Sequence, residues 1–145
     1  RAVVQCVSEA SVTVEGRAVG AIRKGYVILL AWARDTEDEA ERLWRKIAKL
    51  RVFEDTQGKT NLSLADVGGE VLVVSQFTLY ANCRKGNRPS FTDAADPASP
   101  VLYEYFAELA RTDGFTVATG EFGAMMGRGA CEPRAFTVVL DTDAL

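Results

Sequence analysis

Histidine is missing from this chain of 145 residues. Its absence removes the side chain that most often moves protons near neutral pH. A serine, histidine and carboxylate triad is excluded by composition, as is any zinc site built on imidazole. Cysteine is scarce: Cys6, Cys83 and Cys131 form an odd set with no paired spacing. Such a set fits neither a zinc site nor a secreted disulfide framework, and reads as free thiols in a reducing cytoplasm. No run approaches the roughly 20 apolar residues of a membrane span, and "RAVVQCVSEASV" turns polar too early for a signal peptide. Phosphate loops of the GxxxxGK and GxGxxG types are absent. Neither a metal nor a cofactor is expected. With a net charge of −3, the surface as a whole does not attract nucleic acid, so any RNA contact must come from a local patch.

What is present fits one globular domain over residues 1–145. A domain of this size buries roughly 70% of its unfolded surface and needs no covalent or metal staple. "AVVQCV" and "ASVTVEG" are short and β-branched, and predict strands. "GYVILLAW" and "GEVLVVS" are continuous apolar runs after glycine, which predicts strands buried on both faces. "RVFED" predicts a strand, "QGKTNLSL" a turn, and "FTVVLD" a last strand. Thr36 and Glu39 have capping-box spacing, and Ala40, Leu43, Trp44, Ile47 and Leu50 follow as one apolar stripe. A second helix is predicted with Ser99 as cap, Pro100 at its first position, a stripe of Leu102, Tyr105, Phe106 and Leu109, and Gly114 as its stop. Many strands with two helices around one core predict an α+β fold.

Two stretches carry candidate chemistry. In "VLVVSQFTLY", residues 71 to 80, an apolar strand runs into Ser75, Gln76, Phe77 and Thr78. A hydroxyl is a weak nucleophile until a base activates it, and no Lys, Asp or Glu stands in this platform. Ser and Thr at a strand end equally serve to satisfy backbone groups. The long polar loop "CRKGNRPSFTDAADPAS" follows. Its Arg84, Lys85 and Arg88 lie in sequence beside Tyr80 and Phe91, a mixture of cations and aromatics that suits an RNA end. A solvated surface loop has the same composition.

The blocks "AVVQCVSEASVTVEG", "LRVFEDTQGKTNLSL", "VLVVSQFTL", "KGNRPSF", "LYEYF" and "GEFGAMM" occur in an order and at spacings that resemble the D-aminoacyl-tRNA deacylases. The resemblance spans nearly the whole chain. It implies an α+β fold of two packed β-sheets, partly barrel-like, with flanking helices. It implies hydrolysis of the ester of D-aminoacyl-tRNA, a chiral proofreading step in translation, by a homodimer whose sites are completed across the interface. Thr78, Ser75 and Gln76 match the family's catalytic platform, with Thr78 a candidate nucleophile. Phe77 belongs to the same platform, and Phe122 and Met126 match the wall that holds the terminal adenosine. Core packing is the other reading of those side chains. The family site looks able to work without a side-chain base, through the 2′-hydroxyl of the terminal adenosine and backbone groups. That suits a chain without histidine.

The sequence also departs from the pattern. The family's second signature, Asn-Asp-Gly-Pro-Val-Thr, reaches into the partner's site, where its cis Gly-Pro backbone excludes L-amino acids. Here "EPRAFT" stands in its place, with Arg134 and Ala135 at the Gly-Pro positions. A cis bond before a non-proline residue costs about 2.5–4 kcal/mol, against about 0.5–1 before proline, so this bond is expected to be trans. Cys6 stands where the family usually has an arginine that supports the Gly-Pro loop. Residues 127 to 135, "GRGACEPRA", match the family poorly between well-matched flanks, a pattern that a remodelled site or two compensating frame shifts would each produce. Besides the active deacylase, two alternatives stay open: a homodimer that binds tRNA ends without hydrolysing them, and a deacylase with relaxed chirality or a shifted amino acid.

Overall fold

The structure, a computed structural model, describes residues 1–95, 100–121, 126–128 (as strand backbone) and 136–145. Among these the chain forms β1 (Ala2–Val7), β2 (Ala10–Val14), β3 (Arg17–Ile22), β4 (Gly25–Leu30), α1 (Glu37–Ala48), β5 (Arg51–Glu54), β6 (Thr60–Ser63), β7 (Glu70–Ser75), α2 (Val101–Thr112), β8 (Val117–Thr119), β9 (Met126–Arg128) and β10 (Thr137–Leu140). The central mixed sheet has the order β10-β1-β4-β7-β8, with β4, β7 and β8 parallel to one another. A second sheet has the order β3-β2-β9, and β5 pairs with β6 in a hairpin.

The two continuous apolar runs lie at the middle of the central sheet, and their alternation divides the core. Tyr26, Ile28 and Leu30 of β4 and Val71 and Val73 of β7 face α1, α2 and the β5–β6 hairpin. Val27 and Leu29 of β4 and Leu72 and Val74 of β7 face the β2–β3 sheet, packing with Val12 and Ile22. Each strand is therefore buried on both sides, as a parallel neighbour pair covered by two layers requires. The hairpin that links β2 to β3 turns through Glu15 and Gly16, both with positive φ, where glycine carries no steric penalty.

The α+β class and the packing of two sheets with flanking helices match the sequence-based reading. The sheets are not closed into a barrel among the described residues. α1 starts after Thr36, whose N–H donates to the Glu39 carboxylate at 2.7 Å, and buries Ala40, Leu43, Trp44 and Ile47 as the stripe predicts. Leu50 lies beyond its end.

α2 differs in phase. Its buried face is Tyr103, Phe106, Ala107 and Ala110, while Leu102, Tyr105 and Leu109 sit half-buried on the flank. The small alanines let the helix lie close to the core, and the Tyr103 hydroxyl donates to the Val73 carbonyl at 2.7 Å. Pro100 occupies the cap position rather than the first helical residue, and Ser99 lies outside the described residues. The stretch "QGKTNLSL" is a turn only at its start. Asp55 accepts N–H bonds from Gln57 and Lys59 at 2.9 and 3.0 Å, and Thr60–Ser63 then returns as β6. No helix among the described residues is long and apolar enough to cross a membrane.

Candidate active site at the end of β7

β7 delivers the platform. Its last residue, Ser75, pairs with Leu30, and the Gln76 N–H donates to the Leu30 carbonyl at 2.8 Å. The chain then leaves the sheet in a single 3-10 turn, Phe77–Tyr80, closed by Leu79 N–H to the Gln76 carbonyl and Ala81 N–H to the Thr78 carbonyl, both 3.1 Å. The N–H groups of Phe77 and Thr78 precede the first bond of that turn, so the turn itself gives them no acceptor. Ser75 and Gln76 are half-buried, whereas Phe77 and Thr78 are exposed. The Gln76 amide Nε2 donates to Thr78 Oγ1 at 2.5 Å. The hydroxyl thus acts as an acceptor and keeps its own proton free to donate. Neither partner is a base at neutral pH.

The basic loop folds back onto this turn. Asn82 and Ser90 exchange two main-chain hydrogen bonds, of 2.7 and 3.0 Å, and close the loop between them. Arg84, Lys85 and Arg88 stand exposed within it, in no ion pair with a described residue. The Arg84 N–H donates to Asn82 Oδ1 at 3.1 Å, which shapes the entry to the loop. Immediately after the bridge, the Phe91 ring meets Phe77 edge to face, with centroids 5.1 Å apart and planes at 75°. The structure therefore brings "SQFT" and "RPSF" together on one exposed face.

A third group beside this face had no signal in the sequence. The Arg1 guanidinium lies 4.6 Å over the Tyr80 ring. It donates to Asp141 Oδ2 at 2.7 Å and to the Leu79 carbonyl at 3.2 Å, which fixes the end of the 3-10 turn. Burial, then the nearby Asp35 and Asp141, pushes the Tyr80 phenol up to about 12. Burial likewise pushes the Cys6 thiol up to about 11. Neither supplies a base or a nucleophile at neutral pH. A polar cleft of about 740 Å³ opens beside Tyr80, with Arg34, Asp35, Arg42, Thr92 and Asp93 in its walls. It adjoins the platform without containing Ser75, Gln76 or Thr78.

Other sequence-predicted positions are not placed in this way. Phe122, Arg134 and Ala135 lie outside the described residues. Met126 begins β9, opposite Val14 of β2, and only its backbone is described. Among the described residues, no group of three or more Cys, Asp or Glu could hold a metal ion.

Comparison with known proteins places this geometry in a family. Residues 3–141 match the family model described as D-Tyr-tRNA(Tyr) deacylase. The D-aminoacyl-tRNA deacylase of Thermotoga petrophila is 51% identical, over 100% of this chain and 99% of the relative. That of Chloroflexus aurantiacus is 55% identical, over 100% of this chain and 92% of its own length. That of Thermus aquaticus is 54% identical, over 98% and 95%. A solved structure described as c-Myc DNA unwinding element binding protein superposes with a TM-score of 0.86 at 38% identity, covering 97% of this chain and 98% of that one. A probable eukaryotic D-amino acid tRNA deacylase shares the fold, with a TM-score of 0.77 at 16% identity over 94% and 98% of the two chains. With a family model spanning nearly its whole length and relatives more than half identical to it, this chain belongs to the D-Tyr-tRNA(Tyr) deacylase family.

Proposed function

We propose that this protein hydrolyses the ester bond of D-aminoacyl-tRNA and so releases a free D-amino acid and tRNA. The observation that carries the reading is whole-length similarity, at about half identity, to relatives named for that activity. It favours hydrolysis over the binding-only alternative. Water adds to the ester carbonyl, the bond from the acyl carbon to the ribose oxygen breaks, and that oxygen takes a proton. An aminoacyl ester is already an activated acyl group. Placing it correctly beside hydrogen-bond donors supplies much of the rate without an ionised nucleophile. Thr78, held by Gln76, and Ser75 orient the ester, together with the N–H groups of Phe77 and Thr78. The adenosine 2′-hydroxyl assists the proton transfer.

Arg84, Lys85 and Arg88 take the phosphates of the single-stranded end, and Phe77 lines the approach to the ester. Phe122 and Met126 are assigned to the terminal adenosine. Arg134 and Ala135 are assigned to the amino-acid side of the site, in a single domain that works as a homodimer in the cytoplasm with each site completed by the partner.

The test is release of amino acid from D-Tyr-tRNA, Gly-tRNA and L-Tyr-tRNA by the purified protein. Release from D-Tyr-tRNA is expected. No release from any of the three overturns the proposal.

A further inference from the structure

The Phe77–Phe91 contact has no part in the chemistry described above, yet it joins the two halves of the site. The 3-10 turn that carries Thr78 is one turn long, and such turns have poor hydrogen-bond geometry and little cooperativity of their own. Phe77 sits between Gln76 and Thr78 and opens the turn, so the backbone that its ring anchors joins the two ends of the Gln76–Thr78 hydrogen bond. Phe77 is 45% exposed and has no place in either core cluster. Its ring contact is with Phe91. Phe91, in turn, is fixed on both sides. Ser90 is locked to Asn82 by two main-chain bonds, the Ser90 and Thr92 hydroxyls lie 3.2 Å apart, and the Ala94 N–H donates to the Phe91 carbonyl at 3.1 Å. Arg84, Lys85 and Arg88 belong to the loop that the same bridge closes.

We propose that Phe91 is a positioning residue: its ring holds Phe77, and through it the Gln76–Thr78 platform, in the geometry that hydrolysis needs. The claim rests on the deacylase reading. It also couples the sites, because a phosphate seated on the basic loop steadies the Asn82–Ser90 closure beside Phe91. Loss of the ring leaves substrate binding by the cations in place and loosens the turn that presents Thr78.

The experiment is single-turnover and steady-state hydrolysis of D-Tyr-tRNA by the wild-type chain and by Phe91→Leu, Phe91→Tyr, Phe77→Leu and the Phe77→Leu/Phe91→Leu double variant. Phe91→Leu keeps an apolar side chain and removes the edge-to-face pair. It is expected to lower kcat about threefold to tenfold, the range such a pair is worth, with KM within about twofold. Phe91→Tyr keeps the ring and is expected to restore kcat. The double variant is expected to lose no more than the worse single variant, as for two residues acting through one contact. A Phe91→Leu enzyme with unchanged kcat overturns the proposal, and so does a loss confined to KM, a tyrosine variant as slow as the leucine one, or additive losses. Phe91 is partly exposed, so all variants are expected to keep the wild-type Tm. If Phe91→Leu fails to fold, the Phe91→Tyr and Phe77→Leu kinetics decide. A wild-type chain that hydrolyses none of the charged tRNAs refutes the deacylase reading itself, and the positioning claim falls with it.

Discussion

Thr78→Val separates two ways of running this site. The substitution removes the hydroxyl and keeps the branched shape at an exposed position. The main-chain bond from Ala81 to the Thr78 carbonyl is unaffected, so the turn is retained. What is lost is one hydrogen bond, the 2.5 Å contact from Gln76 Nε2. A single neutral hydrogen bond is worth about 1 kcal/mol, which is roughly fivefold in rate if all of it bears on the transition state. Were Thr78 the covalent nucleophile, removal of its oxygen would cost at least about 10³-fold. The structure argues for the smaller figure. The Thr78 hydroxyl has an amide donor as its partner, histidine is absent, and the nearby Tyr80 phenol is pushed up to about 12. Among the described residues, no base partners the Thr78 hydroxyl. The assay is single-turnover release of D-Tyr from tRNA at saturating enzyme. A loss within about tenfold is expected, with Tm unchanged. A folded Thr78→Val enzyme slower by about 10³ or more refutes the base-free mechanism and makes Thr78 the nucleophile.

Four further outcomes follow from particular contacts. In Gly25→Ala the new Cβ would lie 1.8 Å from the Glu70 carbonyl oxygen and 2.6 Å from its nitrogen, so β4 and β7 must part. A Tm lower by at least about 10 °C in a thermal melt is expected, and an unchanged Tm contradicts the close approach. Replacing Arg84, Lys85 and Arg88 together by Ala is expected to flatten the plot of log affinity against log salt for tRNA by about 2, at roughly 0.7 per phosphate contact to a single strand. An unaltered slope removes the loop from the RNA path. Among the described residues, four carboxyls are held below their usual range: Glu39 by Thr36, Asp55 by the Lys59 and Gln57 N–H groups, Asp66 by Ser63 and Asp141 by Arg1. Their folded values are the lower ones. The stabilisation is therefore complete above the unfolded values near about 4 and is lost as pH falls through the folded ones, so Tm is expected to be level down to about pH 5.5 and to drop below about pH 4.5. Finally, restoring Gly-Pro in place of Arg134-Ala135 is expected to raise the ratio of D-Tyr to L-Tyr release; an equal or lower ratio separates that pair from chiral selection.

What the sequence made legible, and what it hid, divides along the distance over which a contact forms. β4 and β7 could be read from "GYVILLAW" and "GEVLVVS" because burial on both faces leaves a continuous apolar run. The end of β7 was legible because the run stops at Ser75. α1 was legible because Thr36, Glu39 and the stripe from Ala40 to Ile47 agree with one another. α2 was misread by one position, since Leu102 and Leu109 look more apolar than Ala107 and Ala110, yet close packing favours the small residues. Tyr103 gave no hint that it would reach the Val73 carbonyl. β6 was hidden because "TNLS" is polar and half-exposed, and only its partner strand makes it regular.

The site divides in the same way. Ser75, Gln76, Phe77 and Thr78 are contiguous, so one quoted stretch contains them. Phe91 reaches Phe77 only because Asn82 and Ser90 close the loop between them; Arg1 reaches Asp141 because β1 pairs with β10, and Tyr80 because β4 lies between β1 and β7. No local pattern encodes either meeting. Both act on the same 3-10 turn, from opposite ends: Phe91 on the ring of its first residue, Arg1 on the Leu79 carbonyl and the Tyr80 ring near its last. A turn too short to hold itself is thus clamped by residues from two distant parts of the chain. If the proposed base-free mechanism holds, the rate depends on where the groups are held. On that mechanism the two clamps matter as much as the hydroxyl they present.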